Sequence, residues 1–212
     1  MIIYTFDGLM GFGKTLGMSI FAKRLQQESG CALYSNYGLA GSKPFTSFND
    51  FLSICDESST ILCLDECHLD IDSRNSLSNA SKYFSHIAFF LRKMRCTLML
   101  TTPLFSNVDS RIRDITFVYV PVEKDKNYFY YPHIDWQVNK LLKIEKIKKE
   151  NVFKLASNVY ETNNMVTPLE YPANKTEFDN LLEQLKERNN QYMLRQKRLK
   201  NLKKLIELKR AV

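Results

Sequence analysis

Gly8, Gly13, Lys14 and Thr15 stand at the spacing G-x-x-x-x-G-K-[ST], and these residue types at that spacing can hold a triphosphate. Glycines let a loop wrap with its N–H groups turned inward onto phosphate oxygens. A helix that starts at Lys14 offers its positive N-terminus to the same anion. Lys14 then reaches the β- and γ-phosphates, and Thr15 supplies a hydroxyl to Mg²⁺. The candidate cradle is Gly8, Leu9, Met10, Gly11, Phe12, Gly13, Lys14 and Thr15. All seven glycines of the chain (8, 11, 13, 17, 30, 38 and 41) lie in its first 41 residues. Three of them fall between positions 8 and 13, where they serve backbone geometry.

A phosphate loop needs an acid to hold its metal. Thr60-Ile-Leu-Cys-Leu-Asp65-Glu66 reads as a buried strand ending in two carboxylates. Asp65 would hold Mg²⁺ through water, and Glu66 would polarise the attacking water. Taken alone, an Asp-Glu pair is an ordinary solvated strand end. Its place about fifty residues after a phosphate loop gives it the second meaning.

The elements that must position these groups follow from the apolar runs. Ile2–Phe6, Cys31–Asn36, Thr60–Asp65, Cys96–Thr101 and Ile115–Val122 read as strands. Lys14 to about Gln27 reads as a helix closed by Ser29-Gly30. Pro44 to Asp56 holds a short helix with Ser47 as its N-cap. Ser78 to Met94 has helical spacing, and Asp109–Asp114 is a short turn or helix. This alternation predicts a mostly parallel sheet flanked by helices. From 123 onwards the character changes. Tyr128–Tyr131, Trp136–Leu142 and Val152–Tyr160 read as small strands or helix turns, and Lys140–Lys149 reads equally as a solvated helix. The four consecutive aromatics Tyr128–Tyr131 could stack on bases, but they fit a hydrophobic sheet face better. Thr176–Lys209 reads as a long helix in which Phe178, Leu185, Tyr192, Leu199 and Ile206 recur every seven residues. Leu181 and Leu202 fit a partner seam; Arg188, Arg195 and Lys209 break it. The pattern predicts docking by one stripe rather than a coiled coil. The expected organisation is a core over 1–122, a small extension over 123–174 and a basic amphipathic helix over 175–212.

Bulk numbers narrow the class. The 212 residues allow one α/β domain with an appendage. No run approaches the roughly 18 apolar residues of a membrane span. The first residues lack the pattern of a signal peptide. Five cysteines, three of them in apolar runs, fit reduced core thiols better than a disulfide framework. Cys63, Cys67 and His68 form only a weak zinc signal, with no second ligand cluster. The net charge is +7, and residues 191–212 carry eight Lys/Arg against one acid, which equals the whole excess.

With these motifs assembled, the chain resembles the zonula occludens toxin-like (Zot-like) ATPases of filamentous phages. That family is similar to the FtsK/HerA group of DNA pumps, which includes packaging ATPases of tailless viruses. The stretches that carry the resemblance are Gly8–Thr15, Leu64-Asp-Glu-Cys-His68 with Arg74 following, Leu91 to Pro103, and Val108-Asp-Ser-Arg-Ile-Arg113. Lys149 to Pro168, containing Tyr160-Glu-Thr162, loosely resembles the end of the same domain. The resemblance implies an α/β fold with a mostly parallel P-loop NTPase sheet flanked by helices, to which this sequence adds its own long basic C-terminal helix. It implies ATP and Mg²⁺ as cofactors, a homo-oligomeric ring that is often hexameric in the family, and DNA as the load. Viral capsid or membrane-assembly proteins are the further partners it suggests, in the cytoplasm of a host cell.

Residue by residue, Arg92 matches the family's arginine ahead of the fourth strand, and Arg113 the one before the fifth. Either, or Arg74, could act in trans on a neighbour's ATP. Their ordinary alternatives are a helix end and a sheet-edge ion pair. Thr102 matches the threonine that ends the fourth strand. The family places a glutamine next as γ-phosphate sensor; Pro103 stands here, which leaves that role to Thr102 or unfilled.

Three functions remain. A genome-packaging ATPase is preferred, because the chain shows no membrane span of the kind the extrusion motors carry. The motor of filamentous phage extrusion is the second. A nucleotide-gated membrane adaptor with negligible hydrolysis is the third, and the intact Glu66 argues against it. A small-molecule kinase would need an acceptor pocket and a lid, and neither motif is present. The cationic stretch at 191–212 suits a phosphate backbone, and equally an ordinary solvated face or an acidic patch on a neighbouring subunit.

Overall fold

The apolar runs become parallel strands in the computed structural model, which describes residues 2–66, 79–160 and 166–210. They are β1 (Ile3–Asp7), β2 (Ala32–Ser35), β4 (Thr60–Leu64), β5 (Cys96–Thr102) and β6 (Val118–Pro121), joined by β3 (Lys43–Pro44), a two-residue exposed strand that no apolar run marks. Their order is β3-β2-β4-β5-β1-β6, all parallel. β4 is buried along its whole length, as a strand covered on both faces must be. β5 lies between β1 and β4, so its last residues stand between the loop after β1 and the acids after β4.

Helices cover both faces. On one side α1 (Lys14–Ser29) packs Met18, Phe21 and Ala22 against Phe6, Ile61, Met99 and Val120. The helix ends on Gly30 in a left-handed conformation, whose N–H donates to the Gln26 carbonyl. On the other side lie α2 (Asp50–Asp56), α3 (Asn79–Phe90), α4 (Ser110–Ile115) and the first half of α6 (Lys175–Arg210). Ser47 does not sit directly before α2, whose N-cap position is Asn49. It caps the preceding turn instead: its Oγ accepts from the Asn49 N–H, while Asp50 Oδ2 accepts from the Thr46 and Ser47 N–H groups.

The region after 122 adds to the same sheet. β8 (Tyr128–Asp135) runs antiparallel to β6, to β7 (Glu123–Lys124) and to β9 (Lys140–Lys148). A solvated helix over 140–149 is therefore corrected to an edge strand. Residues 136–139, placed in a small strand or helix turn, are its tight turn, with Asp135 Oδ1 accepting from the Gln137 and Val138 N–H groups. On the face towards α1, Arg24 and Glu145 pair at 2.8 Å and Lys143 Nζ lies 4.8 Å from the Phe21 ring centre. α5 (Val152–Val159) follows, and Tyr160 pairs with Leu39 in a short bridge.

The seven-residue stripe of α6 docks only in part. Phe178, Leu181, Leu182 and Leu185 are buried, and Tyr192 lies under the Arg95 guanidinium at 3.7 Å. Beyond it Leu199 and Ile206 are about half exposed, as are Met193, Leu194 and Leu202. The stripe continues, but the body it docks on has ended. Arg188, which broke the seam, pairs with Asp56 at 2.6 Å. Of the cysteines, Cys55, Cys63 and Cys96 are buried free thiols and Cys31 is half-buried; Cys67 and His68 lie outside the described residues. No helix among the described residues is long and apolar enough to cross a membrane.

His133 of β8 is buried among Tyr4, Phe6 and Phe21, with Nε2 3.9 Å from a Glu145 carboxylate oxygen. Burial pushes its pKa down to about 4, with Lys143 adding to the effect and Glu145 opposing it. The unfolded imidazole protonates near pH ~6.5, so between there and about pH 4 the unfolded chain takes a proton that the folded chain refuses. Stability should fall by about 2 kcal/mol from pH 7 to pH 5 through this group. His133→Leu should flatten that part of the denaturation-against-pH curve; an unchanged slope would refute the assignment.

Candidate nucleotide site

The loop between β1 and α1 is built from backbone. Leu9 and Met10 are 66% and 89% exposed, so their side chains leave the cradle to the main chain. The Phe12 N–H donates to the Leu9 carbonyl at 3.2 Å, closing a turn. Gly13 caps α1 at φ 85°, a left-handed conformation in which a side chain is strained. Lys14 Nζ donates to the Leu9 carbonyl at 3.1 Å. Burial lowers the Lys14 pKa, against the pull of Asp65, Asp7 and Glu66. A second cation, Lys124 of β7, donates to the Gly11 carbonyl at 3.1 Å and lies 4.5 Å from the Phe12 ring centre.

Thr15 meets the acid directly. Its Oγ1 donates to Asp65 Oδ1 at 2.9 Å and Oδ2 at 3.1 Å. Thr101 Oγ1 donates to Asp65 Oδ1 at 2.6 Å and accepts from the Glu66 N–H at 2.9 Å. Asn36, one residue past β2, holds the Asp65 main chain from both sides: Nδ2 donates to its carbonyl at 3.1 Å and Oδ1 accepts from its N–H at 2.8 Å. Burial raises the Asp65 pKa, opposed by the Thr101 and Thr15 hydrogen bonds. Glu66 follows at φ 52°, a conformation that costs a non-glycine residue about 1 kcal/mol or more, and is exposed just past the end of β4. A hydroxyl and a carboxylate in contact form a hard oxygen donor set that suits Mg²⁺.

These groups line one cavity of about 310 Å³, with Gly11, Gly13, Lys14 and Thr15 on one side and Asp65, Glu66, Thr101, Pro103 and Tyr160 on the other. It opens at the C-terminal edge of the parallel strands, where open α/β sheets bind their ligands. Gly8 joins β1 to the loop, and Leu9, Met10 and Phe12 lie along it.

The remaining candidates stand elsewhere. Thr102 does not reach Asp65: its hydroxyl donates to the Leu104 carbonyl and accepts from the Leu104 N–H. The register explains why Thr101 and not Thr102 meets Asp65. Leu64 pairs with Leu100, so the next residue of β5 level with Asp65 is Thr101, and Thr102 points to the opposite face. Arg92 is exposed in the turn before β5, at the sheet edge opposite the cavity. Arg113 lies on α4, outside the cavity lining, with its Nε buried and unpartnered among the described residues. Arg74 lies outside the described residues. Sequence reading missed Asn36, Thr101, Lys124 and Tyr160, none of which carries a local motif. It also missed Arg95, which clamps α2 to α6 by donating to the Cys55 and Glu57 carbonyls and Asn189 Oδ1.

No family model matches the chain, and no curated protein matches it in sequence. Solved structures share its fold. The N-terminal domain of zonular occludens toxin from Neisseria meningitidis aligns with a TM-score of 0.54 at 13% identity, over 76% of this chain and 98% of that one. The genome packaging NTPase B204 from Sulfolobus turreted icosahedral virus 2, solved with ATP-gammaS, aligns with a TM-score of 0.50 at 11% identity, over 68% of this chain and 96% of that one. The B204 complex with AMPPCP gives a TM-score of 0.50 at 12% identity, over the same shares of the two chains. By its strand order, its loop and these likenesses, the chain shares the P-loop α/β fold of the zonular occludens toxin N-terminal domain and of the packaging NTPase B204.

Proposed function

We propose that the chain is an ATP-hydrolysing motor that translocates or packages viral DNA. The observation that carries the reading is the single cavity in which the phosphate loop, the Thr15–Asp65 contact, Glu66 and Thr101 converge. The loop amides and Lys14 bind the triphosphate. Thr15 and Asp65 would hold Mg²⁺, whose charge would offset that of the phosphates. Glu66 orients and polarises the attacking water. Thr101 fixes both acids, one through its carboxylate and the other through its main chain. Arg92 and Arg113 stand outside the chain's own cavity, so a catalytic role for either would be in trans, on a neighbour's site in a homo-oligomeric ring.

The load is assigned from α6. Residues 193–210 extend past the docked segment for about 27 Å of helix. Arg195, Lys197, Arg198, Lys200, Lys203 and Lys204 are all exposed. Such a cationic rod suits a phosphate backbone. Zot-like phage assembly is the alternative use of the same motor, and an adaptor without hydrolysis is the third.

ATP turnover measured with and without duplex DNA separates these. Stimulation by DNA is expected of a packaging or translocating motor; turnover indifferent to DNA would move the protein to assembly. Ending the chain after Tyr192 removes all eight cations of 191–212 while keeping every docked residue of α6. DNA affinity should drop at least about tenfold at ~0.1 M salt, and the slope of log K against log salt should shrink by about 0.9 for each phosphate no longer neutralised. An unchanged slope would remove α6 from the DNA interface.

A further inference from the structure

Tyr131 of β8 reaches across to the phosphate loop. Its ring is 2% exposed and lies on the first turn of α1. Its hydroxyl donates to the Gly13 carbonyl at 2.9 Å. The same carbonyl accepts the first helical bond, from the Gly17 N–H at 2.9 Å. The carbonyl of Gly13 and the N–H of Lys14 belong to one planar trans peptide and point in opposite directions. Whatever fixes that carbonyl therefore fixes the direction of the Lys14 N–H, a donor at the helix N-terminus where phosphate binds.

Gly17 shows that this packing has shaped the sequence. A Cβ at this position would lie 2.0 Å from Tyr131 Cε1, 2.6 Å from Cδ1 and 2.7 Å from Cζ. These are ring carbons of a buried side chain, so they cannot swing aside. A glycine inside a helix costs about 0.5–1 kcal/mol relative to alanine. Here it lets the tyrosine ring lie against the helix backbone. Phenylalanine would fill the same space; the hydroxyl adds only the bond to Gly13.

We propose that Tyr131 is a positioning residue for the nucleotide, and that Gly17 is glycine so that the Tyr131 ring can reach the Gly13–Lys14 peptide. The β8–β9 hairpin is then a working part of the phosphate site. The proposal rests on the assignment of residues 8–15 as the phosphate loop.

The test uses the full chain, a fluorescent ATP analogue and steady-state turnover. Tyr131→Phe keeps the ring and loses one neutral hydrogen bond. It should raise the Kd and the KM for ATP about three- to tenfold, by more than it lowers kcat, with the thermal midpoint little changed. Gly17→Ala should weaken binding at least about tenfold, and Gly17→Ala/Tyr131→Ala should bind more tightly than Gly17→Ala alone, because the clash is gone. A purely structural tyrosine would instead lower the midpoint and leave KM at the wild-type value, which overturns the proposal. So would a Gly17→Ala protein that binds ATP normally. Lys14→Ala separates the two readings: if it retains affinity, the phosphate loop is misassigned and Tyr131 with it. If it loses affinity while Tyr131→Phe is normal, only the role of Tyr131 fails.

Discussion

Lys14→Ala should eliminate measurable ATP binding and, with it, all turnover. Lys14 is the cation that the proposed phosphate loop would place beside the phosphates. Its ammonium donates to the Leu9 carbonyl at 3.1 Å, a neutral acceptor that a triphosphate would readily displace. Its surroundings are acidic: Asp65, Asp7 and Glu66 all act on its charge. Removing the ammonium deletes two or more charge-assisted bonds to phosphate, worth about 1.5–3 kcal/mol each. It also leaves those carboxylates facing the incoming anion without a counter-charge. Together these predict at least about a hundredfold loss of affinity. The fold should survive, because Lys14 is a loop-edge side chain outside both hydrophobic clusters. Isothermal titration with ATP and Mg²⁺, beside a thermal scan, reads both. Affinity within a few-fold of wild type would remove the phosphate loop as the nucleotide site.

That loop was legible because its chemistry is local. Eight consecutive residues carry the glycines, the lysine and the hydroxyl, and a strand and a helix must flank them. Asp65-Glu66 was legible as the end of an apolar run. Thr101 was not, because the choice between Thr101 and Thr102 is one of register. It depends on Leu64 standing level with Leu100, a pairing between segments 36 residues apart in the chain. Asn36 was invisible for the same reason, since its amide acts on a main chain 29 residues away.

β9 failed differently. An edge strand has little burial to impose alternation, and Leu141, Leu142 and Ile144 are all about half exposed. A bulge in β9 itself, where Leu142 is skipped opposite the His133/Ile134 step of β8, also shifts the parity midway. The stripe of α6 shows the limit of periodicity. Phe178 and Leu185 are buried while Leu199 and Ile206, on the same repeat, meet solvent. A repeat specifies a face, and the rest of the fold decides how far there is something to cover it.

Glu66→Gln should bind ATP and fail to hydrolyse it. Glutamine keeps the length and shape of the side chain, so the backbone at φ 52° and the N–H bond to Thr101 have no reason to change. What it loses is the negative charge and the basicity that pull a proton from water. A positioned general base contributes about 10²–10⁴-fold, which sets the expected loss in kcat. Affinity should hold or improve slightly, because one carboxylate fewer faces the triphosphate. Asp65 must behave differently. It sits at the junction of Thr15, Thr101 and Asn36, so Asp65→Asn should disturb metal binding and the sheet edge together. The contrast is the diagnostic: Glu66→Gln should trap nucleotide on a protein of wild-type thermal midpoint, and Asp65→Asn should not. Turnover in Glu66→Gln at the wild-type rate would remove it as the catalytic residue. A wild-type protein that binds ATP without measurable turnover, with or without DNA, would instead favour the adaptor reading over a motor.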